Sequence, residues 1–389
     1  MKNAASRRSR TTAATDGSFP RVLHLVPALF DRDEGTLGGA ERYVFELASH
    51  MAAAGVPTTL LACGPRERDE IRADLGGLRI RVLSGAWRVR GQRQNPFSPR
   101  LLPELLRADV IHCHQTHVLA SSLAALAGRL TRKRVFTTDL GGGGWDISGY
   151  VSTDRWYHGH LHISEYSRRV SGHAESPCGH VILGGVDGEK FSPAPEDPAI
   201  SDNAPALFVG RLFPHKGVDD LIAATVPAGP PLEIIGRPYD AAHFELLKRL
   251  AAGRPVTFRT ECSDDELIAA YRRALCIVLP SVYRPSCGSG SESLVPELLG
   301  QTLLEGMACA RPAICTRVAS MPEIVVDVET GFIVPPNDPA ALQEKIRWLR
   351  DHPDQAKAMG AAGRRRALTE FSWPAVVARC LAIYRGEKS

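Results

Sequence analysis

The sequence predicts an α/β protein made of two consecutive, doubly wound parallel-sheet domains. Short apolar strands alternate with amphipathic helices along the 389-residue chain, as in parallel sheets covered by helices on both faces. The chain is long enough for two cores, and its 44% hydrophobic and 23% charged residues match a globular protein. A run rich in Pro, Asp, Ser and Asn at residues 187–206 separates two such series and reads as an interdomain linker.

The first series begins with a strand followed by a well-marked helix. The helix "GGAERYVFELASHMAAAG" places Val44, Leu47, Ala48 and Met51 at helical spacing and ends at Gly55. The predicted strands of this series are "RVLHLVPAL", "PTTLLAC", "LRIRVLS", "DVIHCH", "RVFTTD" and "HLHIS".

The second series ends in a helix whose start is marked by Asp338 as N-cap and Pro339 at its first position. Its predicted strands are "PALFVGRL", "PLEIIG", "VTFRT", "CIVLPS", "PAICT" and "GFIVPP". Ligands of doubly wound sheets bind beyond the carboxyl ends of the strands, so the loops that follow these strands, beside a cleft between the domains, are where we expect the site.

Composition excludes several classes of protein. The net charge of +4 is spread along the chain, which favours small anionic ligands over nucleic acid. Nine cysteines lack zinc-site spacing and indicate reduced thiols in the cytoplasm. No apolar run approaches the ~20 residues of a membrane span, although association with a membrane surface stays open. The polar, basic residues 1–19 carry no secretory signal and predict a disordered tail.

The loop in "LFVGRLFPHKGVDDLIAA" predicts an anion site. A strand ends before Gly210, and Arg211 and Lys216 stand in the loop ahead of a helix. Backbone N–H groups at a helix start add to the charge of such cations, and Arg and Lys both bind phosphate oxygens. The alternative to an anion site is that Arg211 and Lys216 are simply solvated charges on the surface. No GxGxxG follows a strand and no Walker loop is present, so a dehydrogenase or a P-loop enzyme is disfavoured.

Two glutamates in "PELLGQTLLEGMACARP" form a second candidate site. Gly300 predicts a loop followed by a helix that starts near Thr302, and Thr302-x-x-Glu305 fits a capping box. Glu305 therefore has both a structural and a functional explanation. Glu297 has no such structural role, and we expect its carboxylate to accept hydrogen bonds from ligand hydroxyls.

These segments together resemble glycosyltransferase family 4, the retaining, nucleotide-sugar-dependent "group 1" enzymes. The matching motifs span residues 21 to 385 and follow one another in the order expected for the family. Each motif alone is only moderately specific, but the ordered set is strong. It implies the GT-B fold, in which two Rossmann-like domains face each other across a cleft. We therefore expect an N-terminal acceptor domain at residues 20–188 and a donor domain at residues 189–370, with a last helix at 371–387 that packs back on the first domain.

The resemblance also implies roles for particular residues. Glu297 and Glu305 have the family's E-x7-E spacing, which implies that Glu297 contacts the donor sugar and Glu305 the ribose hydroxyls. Arg211 and Lys216 match the cations on the donor diphosphate. The remaining substrate-binding candidates are Gly38 and Gly39 in the glycine turn, together with Asp139, Gly210, Gly300 and Leu303.

Three departures from the family pattern concern substrate choice. The usual His after "VFTTD" is absent, so either Asp139 replaces it or the "GGGGW" loop, with Trp145, contacts the sugar or acceptor. Ala319 and Ser320 replace paired glycines. An insertion at residues 282–296 adds a competing acid, Glu292, and is expected to act as a lid that helps to choose the substrate.

Two candidate metal motifs are read as incidental. The pair Asp31 and Asp33 lies early in a loop, and the Arg/Lys pair already supplies positive charge, so no metal is expected. His112, His114 and His117 straddle the end of a strand, where a structural role is favoured over metal binding.

The sequence thus predicts a retaining transferase that moves a sugar from a nucleoside diphosphate to a hydroxyl of a saccharide, lipid-linked or small-molecule acceptor. Family members are expected to react on one face of the sugar, with the leaving phosphate as base. An epimerase or hydrolase of the same fold, and a non-catalytic sugar-nucleotide-binding protein, are the alternatives. The base, the sugar and the acceptor stay open.

Overall fold

The protein folds around two separate β-sheets. The computed structural model describes residues 19–29, 39–92, 95–141, 144–194, 201, 203–287, 292–293 and 295–387. Residues 1–18 of the predicted tail, Gly38, the Asp31–Asp33 pair and parts of the "GGGGW" loop and the insertion lie outside the described residues.

An eight-stranded sheet forms the centre of the first half. The strands of this half are β1 (Val22–Leu29), β2 (Thr58–Cys63), β3 (Arg68–Arg72), β4 (Leu78–Leu83), β5 (Trp87–Arg88), β6 (Pro96–Phe97), β7 (Val110–Cys113), β8 (Arg134–Thr137), β9 (Gly159–His162) and β10 (Gly179–Val181). The sheet order is β10-β9-β8-β7-β1-β2-β4-β3, while β5 and β6 pair separately. Neighbouring strands of the large sheet are parallel except β3 and β4.

The antiparallel edge strand β3 departs from the predicted all-parallel sheet. Its sequence, "RDEIR", is mostly charged and shows no apolar alternation. It is held instead by charged pairs across the strands, since the Arg79 guanidinium on β4 donates to both carboxylate oxygens of Asp69 at 2.9 Å. Charged side chains also protect an exposed sheet edge from pairing with other chains.

A six-stranded parallel sheet forms the centre of the second half. Its strands are β11 (Ala206–Val209), β12 (Leu232–Ile235), β13 (Val256–Arg259), β14 (Cys276–Leu279), β15 (Ala313–Thr316) and β16 (Gly331–Val334), in the order β13-β12-β11-β14-β15-β16. The central strand β14 is buried along its whole length, as its uninterrupted apolar sequence predicts for a strand covered on both faces. Each strand of this sheet coincides with a strand predicted from the sequence.

Helices cover both sheets. They are α1 (Gly39–Ala53), α2 (Leu101–Arg107), α3 (Leu119–Thr131), α4 (Glu165–Val170), α5 (Val218–Ala224), α6 (Ala241–Ala251), α7 (Asp264–Arg273), α8 (Gln301–Ala308), α9 (Met321–Ile324), α10 (Pro339–Asp351), α11 (Pro353–Glu370) and α12 (Trp373–Arg385). As predicted, Asp338 caps α10, where its carboxylate accepts a hydrogen bond from Ala341 N at 2.9 Å. Within the described residues, no helix combines the length and the apolar character that a membrane span needs.

The last helix, α12, returns to the first half of the chain. The Trp373 ring packs against Tyr43 of α1 with ring centroids 5.3 Å apart. Near the other end of α12, the Tyr384 hydroxyl forms a 2.6 Å hydrogen bond with His112 Nδ1 at the centre of the first sheet. The C-terminal residues thus complete the covering of the first sheet.

Candidate functional site

A cavity of about 850 Å³ lies between the two halves of the molecule. The start of α1 forms one wall, the loop after β11 another, and the segment that leads into α8 a third. Its polar lining includes Arg42, Lys190, Arg211, Lys216, Glu297, Gln301 and Glu305. Loops that are far apart in the sequence therefore meet where the carboxyl ends of the strands face the cleft.

Lys216 and Glu297, which both line this cavity, form an ion pair. Lys216 Nζ donates to Glu297 Oε2 at 2.5 Å, and the two side chains are only 16% and 15% exposed. The other Glu297 oxygen, Oε1, accepts a hydrogen bond from Gly300 N at 3.2 Å. The sequence predicted both residues as ligand contacts but could not predict that they pair with each other.

The local backbone explains how Lys216 reaches this position. A 3₁₀ turn at Pro214–Lys216 ends in Gly217, whose φ of +65° is a left-handed conformation. A Cβ at position 217 would lie 2.1 Å from the Pro280 carbonyl oxygen, so only glycine fits there. Packing of the loop on the end of β14 thus fixes Lys216 in place.

Arg211 is the exposed cation of the cavity. Its guanidinium carbon lies 4.7 Å from the centre of the Phe213 ring, and among the described residues it has no carboxylate within ion-pair distance. The His215 ring stacks on Phe213 with centroids 5.2 Å apart. Burial, reinforced by Lys216, lowers the pKa of His215 to about 4, so this imidazole is neutral at neutral pH. Arg211 is consequently available to an anionic ligand.

Glu305 is a buried carboxylate and does not form the predicted capping box. Gly300 is the N-cap, with a φ of +84°, and α8 begins at Gln301, so Thr302 lies inside the helix. Glu305 is then too far along the helix to reach the N-cap backbone. It accepts a 2.7 Å hydrogen bond from the Tyr271 hydroxyl instead, and burial raises its pKa.

The other predicted contacts divide between the cavity and the core. Gly39 lines the cavity at the start of α1. Leu303 is fully buried, so its side chain belongs to the core and only its backbone could meet a ligand. Gly210 and Gly300 are not among the described residues that line the cavity; they shape the turns that present Arg211 and Glu297.

The departures around Glu297 have a structural explanation. Ser320, where the family pattern led us to expect glycine, donates a hydrogen bond to the Glu297 carbonyl oxygen at 3.2 Å. Ala319 adopts a positive φ of 52°, the backbone conformation that glycine adopts without strain. The competing acid Glu292 pairs with Arg284 at 3.2 Å on the surface and does not line the cavity, whereas Glu297 does.

A second cavity, of about 560 Å³, adjoins the first on the side of the first sheet. Asp139 lies here rather than in the main cavity, and its Oδ1 accepts a hydrogen bond from Gly141 N at 3.1 Å. Gly141, Val295 and Leu298 line both cavities. The polar lining of the second cavity includes Asp139, Asp154, His117, His160, His162 and His173.

Trp145 lies outside both cavities. Its ring is covered by the Arg90 guanidinium, whose carbon lies 3.6 Å from the ring centre. The predicted stacking platform for a sugar is therefore already occupied by a side chain of the protein.

The predicted histidine group is divided. His112 and His114 join His24 in a fully buried cluster, where His24 Nδ1 and His114 Nε2 are 2.8 Å apart. His112 is further bonded to Tyr384 and, at 2.7 Å, to Thr138. His117 lies apart from them in the second cavity, where it bonds Ser148 at 2.8 Å. The buried cluster thus joins the strands to the last helix.

Contacts between the two halves sit beside the site. Both Glu323 carboxylate oxygens accept hydrogen bonds from the start of α4, from Tyr166 N at 2.6 Å and from Glu165 N at 2.7 Å. Ser164, the N-cap of α4, donates to the Leu298 carbonyl oxygen at 2.8 Å. A clamp formed by Ser164 and Glu323 therefore connects the first half of the chain to the residue next to Glu297.

Sequence reasoning missed Arg42, Lys190 and Tyr271. Arg42 belongs to the "GGAER" motif and Lys190 to "DGEKF", so both stood inside segments that carried the resemblance. Lys190 Nζ donates to Asp264 at 2.6 Å, and Arg42 lies 3.8 Å from the same carboxylate. Tyr271 gave no signal, because an aromatic residue at helical spacing is typical of a core position.

Comparison with known proteins agrees with this architecture. The family model "Glycosyltransferase Family 4" matches residues 37–175, and "Glycosyl transferases group 1" matches residues 194–366. Alpha-maltose-1-phosphate synthase of Mycolicibacterium smegmatis is 29% identical over 318 residues, which are 72% of this chain and 79% of the relative. D-inositol 3-phosphate glycosyltransferase 1 of Catenulispora acidiphila is 26% identical over 428 residues, 96% of this chain and 97% of the relative.

The fold itself matches solved structures. HepE of Anabaena, in complex with UDP and glucose, superposes with a TM-score of 0.69 at 15% identity, over 94% of this chain and all of that one. Two sheets of this topology facing a cleft are the GT-B architecture. The chain therefore belongs to glycosyltransferase family 4, the glycosyl transferases group 1, and is a glycosyltransferase with the GT-B fold.

Proposed function

We propose that this glycosyltransferase transfers a sugar from a nucleoside-diphosphate sugar to a hydroxyl acceptor and retains the configuration at the anomeric carbon. The observation that carries the proposal is the convergence of Arg211, Lys216, Glu297 and Glu305 on one cavity between the two halves. The two cations match the diphosphate of one donor, the largely buried Glu297 carboxylate matches its sugar, and the buried Glu305 carboxylate matches its ribose. The structure of HepE with UDP and glucose is that of a protein of the same fold.

Arg211 and Lys216 are proposed to bind the donor diphosphate in different ways. Arg211 is exposed and takes the first contact with the anion, whereas Lys216 must share its charge between Glu297 and the diphosphate. As the bond between the anomeric carbon and the phosphate oxygen breaks, negative charge grows on the leaving group, and both cations stabilise it. The Arg/Lys pair thus supplies the positive charge that a metal supplies in other enzymes, and we propose that no metal acts at the diphosphate.

The reaction is then a substitution on one face of the sugar. The acceptor oxygen bonds to the anomeric carbon on the face from which the diphosphate leaves, and the hydroxyl proton passes to the departing phosphate oxygen. Glu297 accepts hydrogen bonds from the sugar hydroxyls and orients the ring. The acceptor approaches from the second cavity, where Asp139 replaces the histidine of relatives as a hydrogen-bond acceptor.

The Glu297→Gln variant tests this assignment. The amide keeps the shape but loses the charge that pairs with Lys216, so transfer should fall by at least about a hundredfold, in the range of single groups that act on a transition state. Binding of the nucleoside diphosphate alone should be kept or strengthened, because Lys216 no longer shares its charge with a carboxylate. Glu292→Gln is the matched control and should stay fully active; full activity of Glu297→Gln would refute the assignment.

Further measurements identify the substrates. A thermal-shift screen against UDP, GDP and ADP, with and without their sugars, identifies the base, and NMR of the product determines the anomeric configuration. Turnover of the donor without any acceptor would instead indicate the epimerase or hydrolase alternative. Asn at both Asp31 and Asp33 should leave transfer unchanged, since we assign no metal to that pair.

The insertion is proposed to help choose the substrate. Within the insertion, Cys287 N donates to the buried Asp219 at 2.9 Å, which ties this part of the insertion to α5, and Val295 near its C-terminal end lines both cavities. Deletion of residues 285–293 should therefore change acceptor preference or turnover. We further propose that the protein acts in the cytoplasm, which its nine free cysteines support; a membrane-bound acceptor stays open.

A further inference from the structure

Strand β9 presents two histidines to the same face of the first sheet. His160 and His162 are two residues apart on this strand, and alternate residues of a strand point to one side. Both are buried, at 4% and 3% exposure, and the His173 ring lies against both of them, with centroids 4.0 Å from His160 and 5.1 Å from His162. Three imidazoles therefore meet at the wall of the second cavity.

Hydrogen bonds orient two of these rings and leave one nitrogen of each available. His160 Nε2 lies 3.3 Å from the Asp154 carbonyl oxygen, which can only accept, so Nε2 carries the proton and Nδ1 keeps its lone pair. His173 Nδ1 lies 3.1 Å from His162 Nε2. When His173 donates in that bond, its Nε2 has a free lone pair. Histidines that bind a metal are commonly held in this way by a partner on the second nitrogen.

A carboxylate completes the group. Asp154, His160 and His173 each offer one ligand atom, and these atoms all lie within 4.8 Å of one another. A tetrahedral ion with bonds of about 2.0–2.2 Å needs ligand atoms roughly 3.4 Å apart, so a modest contraction suffices. Asp154 is exposed and can rotate to provide it, while His160 is fixed on the strand.

We propose that Asp154, His160 and His173 bind one divalent transition-metal ion of the zinc class, with an open coordination position that faces the second cavity. Two imidazoles and a carboxylate suit Zn²⁺ rather than Mg²⁺ or Ca²⁺, which prefer oxygen ligands alone. The site is separate from the donor cations Arg211 and Lys216, so the proposal does not depend on how the diphosphate is bound. His162 acts as the positioning residue for His173.

The buried His24, His112 and His114 cluster is the weaker metal candidate. His24 and His114 bond each other, and His112 is bonded through both ring nitrogens to Thr138 and Tyr384. A metal there would have to break these bonds in the interior. The Asp154 group, by contrast, borders a cavity that an ion and its water can enter.

Titration of the full-length chain with Zn²⁺ alone tests the proposal. The chain should carry no histidine tag and should first be freed of metal with a chelator, and binding is followed by calorimetry. The native protein should bind one Zn²⁺ per chain, and Co²⁺ in its place should give the visible absorption bands of a low-symmetry site. Asp154→Asn and His173→Ala should each weaken binding by about tenfold or more, within the range for changes around a metal site.

Controls separate this site from unspecific binding. His352→Ala removes a histidine from the other half of the molecule and should leave Zn²⁺ binding unchanged. Because Asp154 is exposed, its variant should keep the Tm of the native protein, so weaker binding cannot be attributed to unfolding. Failure of the native protein to bind one Zn²⁺, or a Zn²⁺ affinity in either site variant equal to that of the native protein, would overturn the proposal.

Discussion

Removing the Tyr271 hydroxyl isolates one hydrogen bond to the buried carboxylate of the site. The Tyr271→Phe variant keeps the ring, which is fully buried and packs edge-on against Phe191 with centroids 5.8 Å apart. It removes only the 2.7 Å bond to Glu305. The change in the free energy of unfolding therefore measures this bond and little else.

The expected magnitude depends on the charge of Glu305. A hydrogen bond to a charged group contributes about 1.5–3 kcal/mol, and one between neutral groups about 0.5–1.5 kcal/mol. Burial raises the pKa of Glu305 in the folded protein above its value in the unfolded chain. Relative to an uncharged glutamine, the stability that Glu305 contributes is thus fully present below the unfolded pKa of about 4.3 and is lost as pH rises through the folded pKa.

Two results follow for urea unfolding across pH. Tyr271→Phe should destabilise the protein by about 1.5–3 kcal/mol at a pH above the folded pKa of Glu305, where its carboxylate is charged, and by less at the lowest pH at which the protein stays folded. Glu305→Gln should gain stability over the native protein as pH rises, because it removes a buried charge. In Glu305→Gln, the further change Tyr271→Phe should have the smaller, neutral effect.

The same variants separate stability from ligand binding. If Glu305 contacts the ribose, Glu305→Gln loses the thermal shift caused by the nucleoside diphosphate even where it is the more stable protein. An equal effect of Tyr271→Phe at both pH values, or no effect at all, would refute the assignment of this hydrogen bond to an ionised, buried Glu305.

Three further predictions concern the clamp, the turn at Gly217 and the hydrogen bond of Tyr384. Glu323→Gln leaves one N–H of α4 without an acceptor, which costs about 1–3 kcal/mol. Sugar transfer should fall while affinity for the nucleoside diphosphate is kept, and small-angle scattering should show a larger radius of gyration. Unchanged turnover would exclude a role for the clamp. Gly217→Ala should destabilise the protein by more than about 3 kcal/mol. The control Gly253→Ala also has a positive φ, of +75°, but no atom lies within 4 Å of the added Cβ, so it should show only the backbone strain of about 1–2 kcal/mol. Equal losses of stability in urea unfolding would contradict the contact with the Pro280 carbonyl oxygen. Tyr384→Phe should lower the Tm because it leaves the buried His112 without one partner, by about 1–3 kcal/mol in free energy, and an unchanged Tm would show that this bond is not needed.

Patterns local in sequence predicted the strands well. Each strand of the second sheet was read from its apolar run, and Asp338 was read correctly as a cap because an N-cap acts within three residues. The charged strand β3 was missed, since cross-strand pairs such as Arg79 with Asp69 leave no apolar alternation in the sequence.

Relations between distant residues could not be read in the same way. Lys216 and Glu297 were each predicted as ligand contacts, but their ion pair joins loops that are 81 residues apart. The cap assigned to Glu305 was wrong because Thr302-x-x-Glu305 has the right spacing, but the left-handed Gly300 is the N-cap, two residues before Thr302. Spacing predicts a motif, and backbone conformation decides whether the motif forms.

The return of α12 to the first sheet has a consequence for synthesis on the ribosome. Proteins fold domain by domain as they emerge, at about 5–20 residues per second. The second sheet has all its strands by residue 334, whereas the first sheet waits for Trp373 and Tyr384. The half that is made first is thus completed last, and its surface near α1 stays uncovered in the nascent chain until α12 has been made.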